Sequence, residues 1–291
     1  FELIKTDKVW SNNYNYGTLW LMPRNAPLGR TPFKNYTTNV CPMTEDEFET
    51  FTPQYLRGAF QDVRPHPCWA CRMHHCHLIS IPEGPLTGEP GEEPEYEGLA
   101  GMGTQLGIHD GLTATALSNE VDRHGMDVNE TGWVLGLVIE CYEAGILTRE
   151  DTDGLEMTWG NVNAVREMTR KIAQRDGIGD RLAEGVMRAA PGLGGDAVTR
   201  AVHGAQGNTP LSHDHRPNWN YLFDVSVSEG GSSDLHIFPQ PGHFGIADFT
   251  TPYAADEVVD YVLRVRGVSP LIDSLGVFRQ PNREVMERLL G

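Results

Sequence analysis

The densest chemistry in the sequence lies in Pro67-Cys68-Trp69-Ala70-Cys71-Arg72-Met73-His74-His75-Cys76-His77. A Cys-x2-Cys turn presents two thiolates to one metal face, and Cys76, five residues on, closes a chelating loop. Three thiols beside three imidazoles leave two metal readings open, an iron–sulfur cluster or a Cys/His zinc site. The plain alternative is a group of reduced thiols with solvated histidines. Cys41 and Cys141 stand alone, and Cys141, among Val138, Ile139 and Tyr142, is expected to be core packing.

Two further segments share a form: Asp122-Arg123-His124-Gly125-Met126-Asp127 and Asp273-Ser274-Leu275-Gly276-Val277-Phe278. Each is Asp-x-x-Gly followed by an apolar residue. A carboxylate at a helix end, beside a glycine that allows close backbone approach, suits the N–H groups of a heterocycle. The same pattern also marks ordinary helix ends, and Asp127 reads equally as a helix N-cap.

The elements that position these residues are mainly helical. Asp127 and Glu130 have capping-box spacing ahead of a helix over about Thr131–Ala144, closed by Gly145. Asn161 caps a helix to about Arg175, with Val162, Val165, Met168 and Ile172 on one face. Asp180 is expected to cap Arg181–Ala190, ended by Gly192. A further amphipathic helix is expected over Ala254–Val265, and Asn282 is expected to cap a last one. Residues before about Leu106 are irregular, with a strand expected at Tyr16–Met22, a turn at Pro23–Asn25, a short helix at Glu45–Leu56 and a surface loop at Ile81–Glu93. The expected fold is mainly α: two packed helical domains, residues 1–165 and 166–291, with a loop-rich N-terminal region.

The chain has 291 residues, enough for about two domains at roughly 150 residues each. It carries 32 Gly and 19 Pro, in keeping with short helices joined by ordered turns. A formal charge of −17 argues against a phosphate-backbone binder, which needs clustered Lys and Arg, so no nucleic-acid partner is expected. No apolar run approaches a membrane span, and Phe1–Asn15 does not read as a signal peptide. Crowded thiols without a disulfide framework suit a cytoplasmic protein. A chain that opens on Phe1 is expected to be a segment of something larger or a processed form.

The order of these features resembles the tungsten-containing aldehyde:ferredoxin oxidoreductase family. The resemblance rests on Tyr16-Gly17-Thr18, Pro23-Arg24-Asn25, the three-Cys loop, Glu95-Tyr96-Glu97 and the first Asp-x-x-Gly segment. It continues through Thr131-Gly132, Glu140-Cys141-Tyr142-Glu143-Ala144-Gly145, Trp159-Gly160-Asn161 and Gly179-Asp180-Arg181-Leu182-Ala183-Glu184-Gly185. Asp214-His215-Arg216 and the second Asp-x-x-Gly segment complete it. The likeness covers the family's second and third, helical domains; the saddle-shaped N-terminal domain has no counterpart in this sequence.

The resemblance implies that Asp122, Gly125, Met126 and Asp127 hold one pyranopterin of a bis-pterin tungsten or molybdenum cofactor, and Asp273, Gly276 and Val277 the other. It makes Cys68, Cys71 and Cys76 ligands of a [4Fe–4S] cluster and Glu97 the carboxylate beside the metal, suited to proton transfer. Without it, Glu97 reads as one more solvated member of the run Glu92, Glu93, Glu95. The implied activity is two-electron oxidation of an aldehyde, or a related carbonyl conversion, with ferredoxin or another electron-transfer protein as acceptor and a companion chain or segment completing the cofactor seat.

Three departures stand against the family pattern. Four residues rather than three separate Cys71 from Cys76. Phe278 occupies the position of the fourth cluster cysteine. In Gly230-Gly231-Ser232-Ser233-Asp234-Leu235-His236, Asp234 stands at the position of the active-site His and His236 at that of a Lys. His236 would face the same side in an extended segment, and His74, His75 or His77 would serve as outside cluster ligands. The competing expectation is a diverged, non-catalytic partner subunit whose Cys loop is empty or holds zinc.

Overall fold

The computed structural model describes residues 8–69, 71, 73–227, 247–267 and 274. At its centre lies α7 (Val128–Glu143), buried on nearly every face from Thr131 to Ile139, as a helix with apolar residues all round must be. Around it pack α5 (Tyr96–Gly101), α6 (Gly111–Arg123) and α8 (Val162–Gln174). α9 (Ile178–Leu182), α10 (Val186–Leu193) and α11 (Ala197–Arg200) complete this layer. Gly132 sets a close crossing: a Cβ there would stand 2.9 Å from the carbonyl oxygen of Gly101, so α7 rides directly on the backbone of α5. The largest core cluster runs from Met102 through Trp133, Val138 and Met168 to Ala197. The boundary expected between residues 165 and 166 falls inside α8, whose Val165 and Ile172 join that one cluster. The mainly helical expectation is met.

A second core gathers Leu19, Met22, Phe33, Phe51, Leu56, Ile79, Tyr96 and Leu99 beneath the N-terminal region. The strand expected at Tyr16–Met22 is not formed. The chain runs as α1 (Lys8–Tyr16), a 3-10 turn (Gly17–Trp20) and α2 (Leu21–Asn25), which also absorbs the expected turn at Pro23–Asn25. Leu19 and Met22, three apart, both drop into the core, which is helical spacing within a short apolar run that periodicity alone leaves ambiguous.

The helix expected over Glu45–Leu56 is two helices, α3 (Glu45–Glu49) and α4 (Pro53–Ala59). Thr44 and Glu47 form a reciprocal capping box at the first, and Pro53, which disfavours a helical residue before it, restarts the chain at the second. Beyond it lies a three-stranded antiparallel sheet of β1 (Gln61–Pro65), β2 (His77–Ser80) and β3 (Pro90–Glu92), in that order. The stretch expected as a surface loop thus holds β3, which pairs Leu78 with Glu92.

Asp127 caps α7 by accepting the N–H of Glu130 at 2.7 Å, but the box is not reciprocal. Glu130 instead accepts the N–H of Val186 at 2.7 Å and so caps α10. Asp180 lies inside α9, and Gly185, at φ +83°, parts α9 from α10, so the single helix expected over Arg181–Ala190 is broken there. Asn161 caps α8, and Cys141 is fully buried, both as expected. Two further helices, α12 (Trp219–Val227) and α13 (Ala255–Val265), pack together through Phe223, Tyr261 and Val262. No helix among the described residues is long and apolar enough to cross a membrane. The helix expected from Asn282 lies outside the described residues.

Candidate functional site

Glu97, in the first turn of α5, meets His213, with Oε1 3.1 Å from Nε2. The imidazole stacks on the buried ring of Tyr96, centroids 4.5 Å apart, and Asn25 Nδ2 stands 3.5 Å from its Nδ1. An amide N–H facing Nδ1 leaves the Nε2 proton for Glu97.

His213 is placed by a segment with few regular bonds of its own, which the helices pin point by point. Trp133 of α7 donates to the carbonyl of Pro210 at 2.8 Å, and Asn129 accepts from both the N–H and the hydroxyl of Ser212 at 3.0 Å. The N–H of Asp214 reaches the carbonyl of Arg30 at 2.8 Å. The Tyr36 hydroxyl donates to the His213 carbonyl, so its oxygen accepts from His215 Nδ1, 3.0 Å away. Burial, helped by neighbouring His213, pushes the His215 imidazole down to about 3 and keeps it neutral. The sequence drew attention to Asp214-His215-Arg216 and passed over His213, one residue earlier.

The Cys loop is closed at its base by β1 and β2, where Pro65 pairs with His77 and the His66 N–H bonds the Cys76 carbonyl at 2.9 Å. Cys68 is exposed, while Cys71 and Cys76 are half-buried. The N–H of Cys71 donates to the carbonyl of Cys68 at 3.0 Å, which makes the tight Cys-x2-Cys turn. Cys76 Sγ stands 3.5 Å from His75 Nε2 and 3.4 Å from Glu95 Oε1. Burial and then the Glu95 carboxylate push the Cys76 thiol up to about 12, and the hydrogen bond to Glu95 raises His75. The acidic run is not uniformly solvated: Glu93 is buried against Arg57, with Oε1 accepting from Nη2 at 2.9 Å.

Of the first Asp-x-x-Gly segment, Gly125 is the left-handed residue that ends α6 (φ +69°), its N–H bonded to the Asp122 carbonyl at 2.9 Å. A Cβ on Gly125 would meet nothing. The Asp122 carboxylate accepts no hydrogen bond from the described residues, and enclosure by its neighbours, then the charge of Glu92, push it up to about 6. Met126 and Asp127 line a cavity of about 440 Å³, and Asp127 with Glu130 and Gly185 also lines an adjoining one of about 570 Å³. Asp122 and Gly125 thus lie at the exposed end of α6, and of the segment it is His124, Met126 and Asp127 that line the cavities; an acceptor edge beside a glycine is the chemistry that the N–H edge of a pyranopterin would need. Asp273, Gly276, Val277, Phe278, Asp234 and His236 lie outside the described residues.

The family model for domains 2 and 3 of aldehyde ferredoxin oxidoreductase matches residues 1–288. The chain belongs to this family. It is 29% identical over 265 residues to the tungsten-containing aldehyde ferredoxin oxidoreductase of Pyrococcus furiosus, covering 90% of this chain and 42% of that protein. The protein of the same description in Pyrococcus horikoshii is 33% identical over 282 residues, covering 95% of this chain and 44% of its own length. The WOR-like subunit of an aliphatic sulfonate oxidoreductase from Pyrococcus furiosus is 32% identical over 212 residues, with coverages of 66% and 34%. This chain thus spans less than half the length of the curated relatives it matches. Among solved structures, the active-site complex BamBC of benzoyl coenzyme A reductase shares the fold with a TM-score of 0.59 at 22% identity, over 70% of this chain and 30% of that one.

The family also implies an iron–sulfur cluster, and its four-thiolate form does not fit this chain. Phe278 has no lone pair to give iron, and Cys76 is already enclosed by an imidazole and a carboxylate.

Proposed function

We propose that this chain is the helical part of a tungsten- or molybdenum-pterin oxidoreductase of the cytoplasm that oxidises an aldehyde, or a related carbonyl compound, to the acid. Asp122, Gly125, Met126 and Asp127 would hold one pterin, and Asp273, Gly276 and Val277 the other, with a companion chain or segment supplying the rest of the seat. When bound, the metal pterin supplies the two-electron acceptor. Oxidising an aldehyde with one water yields the acid, two protons and two electrons, and the electrons leave through the companion to ferredoxin or a similar carrier.

The protons are this chain's task. Glu97 accepts one at Oε1, and His213 Nε2, 3.1 Å away, is the neighbouring exchange point. The Glu97–His213 pair is the observation that carries the reading: a partly buried acid and imidazole held on an aromatic floor by five separate anchors, far more fixation than a surface ion pair receives. In this reading His213 supplies an imidazole beside Glu97, and Asp234 and His236 remain candidates for the position of the family's active-site His. The second reading, a diverged scaffold with a zinc-loaded loop, is favoured by the contacts of Cys76.

The test is metal and pterin analysis of the native full-length protein with any companion chain. Tungsten or molybdenum with pterin is expected, reduced by Asp122→Ala and by Asp273→Ala. Absence of both metals, or cofactor content unchanged in both variants, overturns the proposal.

A further inference from the structure

Adjacent residues of an extended chain point to opposite faces, yet the side chains of His75 and Cys76 meet at 3.5 Å. The chain turns just before them, where His74 takes a left-handed conformation (φ +33°) that a residue with a Cβ rarely adopts. Such conformations persist where the surroundings over-determine them, and they gather at functional sites. Here the ring of Tyr14 packs on His74 with centroids 4.8 Å apart, and the β1–β2 pairing holds the loop base. Gly17, at φ +58°, lies so close that a Cβ would stand 3.1 Å from the His75 carbonyl and 2.8 Å from Glu93 Oε1.

Three ligand atoms result. His75 Nε2, Cys76 Sγ and Glu95 Oε1 are separated by 3.5, 3.4 and 3.2 Å. Zinc bonds of about 2.3 Å to sulfur and about 2.0–2.2 Å to nitrogen and oxygen, set at tetrahedral angles, require edges of about 3.3–3.5 Å between nitrogen and oxygen and about 3.5–3.7 Å to sulfur. The three observed edges lie within about 0.1 Å of those of one face of that tetrahedron, a shift that small side-chain rotations supply. The outer layer is built as well. Glu95 Oε2 accepts from the Thr18 hydroxyl at 2.5 Å, and that oxygen accepts from the Tyr96 N–H at 2.6 Å, so the carboxylate is oriented from behind.

We propose that His75, Cys76 and Glu95 bind a single zinc ion, three protein ligands leaving one coordination position to water. A thiolate, an imidazole and a carboxylate in tetrahedral disposition select zinc over magnesium or calcium, which take oxygen ligands. The arrangement with one open position is that of zinc sites that bind or activate a water-exchangeable molecule. The site stands independently of the carbonyl oxidation proposed above, and it uses Cys68 and Cys71 in no way.

The experiment takes the full-length protein, with any companion chain, through chelator treatment and titrates it with Zn²⁺ alone. Binding is scored by competition with a chromophoric chelator, and Co²⁺ is used as a spectroscopic stand-in. One zinc per chain is expected, with a thiolate-to-cobalt charge-transfer band that Cys76→Ser removes. His75→Ala and Glu95→Gln should weaken zinc by more than the roughly 10–100-fold that loss of an outer-shell partner costs, and Thr18→Val should fall within that range. Cys68→Ser and Cys71→Ser should leave affinity unchanged. Should Cys76→Ser fail to fold, His75→Ala and Glu95→Gln decide alone. Absence of zinc binding, loss on Cys68→Ser or Cys71→Ser with retention in Glu95→Gln, or iron with acid-labile sulfide in anaerobically prepared protein would each overturn the proposal. Tungsten and pterin are measured on the same samples, so failure here is distinct from failure of the oxidoreductase reading.

Discussion

Two His–Glu pairs flank Tyr96, and their geometry is almost the same. His75 stands 3.2 Å from Glu95 and His213 stands 3.1 Å from Glu97. Their neighbours differ. The first pair closes on a thiol, with a threonine hydroxyl behind the carboxylate. The second has an aromatic face under the imidazole and an amide at its far nitrogen. Glu95 precedes α5 in extended backbone and Glu97 lies in its first turn, so two residues of chain suffice to send equal carboxylates to different partners. An ion pair does not define a site; the third group does. On the readings proposed above, the soft donor is what would make the first pair a metal face, and the apolar floor what would make the second a proton-handling pair.

The sharpest way to break this contrast is to neutralise each carboxylate in turn. Glu97→Gln keeps size and removes the base, so aldehyde-dependent dye reduction by the loaded protein should fall by about 10²–10⁴-fold, the usual worth of a positioned acid–base group, while zinc content stays constant. Glu95→Gln should reverse the pattern, with zinc lost and turnover within a few-fold of the parent. If Glu95→Gln costs turnover as heavily as Glu97→Gln, the two pairs form one site and the contrast fails.

Acid stability probes the support beneath the second pair alone. Folded His215 is protonated only near 3, against about 6.5 in an unfolded chain. Between these values the unfolded state binds more protons, so stability rises with pH up to about 6.5 and levels off above it, by at most about 1.4 kcal/mol per pH unit. Urea midpoints of the parent should therefore drop steeply between pH 6 and pH 4, and those of His215→Gln should drop less. Equal slopes would mean that His215 is not held neutral, and that His213 rests on other supports.

How much of this was legible in the sequence depends on how local the cause was. α7, α8 and α13 follow from caps and apolar spacing contained in each segment, as does the burial of Cys141. The N-terminal region does not: Tyr16–Met22 is a short apolar, aromatic run that suits strand and helix alike, and the core takes Leu19 and Met22 at helical spacing. Asp180 looked like a cap because the break at Gly185 depends on Glu130, which comes from another helix. Within the site, Glu97 was reached only by resemblance, and His213 lies 116 residues away from it with no local signal. Glu95 in sequence is one member of an acidic run; its placement depends on Thr18 and Cys76, 77 and 19 residues away.

The smallest expected effect concerns the residue between the two pairs. Tyr96 is fully buried, and its hydroxyl meets Thr31 Oγ1 at 3.0 Å and also hydrogen-bonds Asn25. Tyr96→Phe keeps the ring on which His213 stacks and the backbone N–H that orients Thr18, and deletes only that hydroxyl. Thr31 retains a weak acceptor in Met22 Sδ at 4.0 Å, so the loss should be about 1 kcal/mol, read as a lower urea midpoint at unchanged slope. Zinc affinity and turnover should both stay at parental values. If zinc affinity moves by tenfold or more, Tyr96 couples the pairs instead of separating them, whereas a change in turnover alone would act through Asn25, which the hydroxyl bonds and which faces His213.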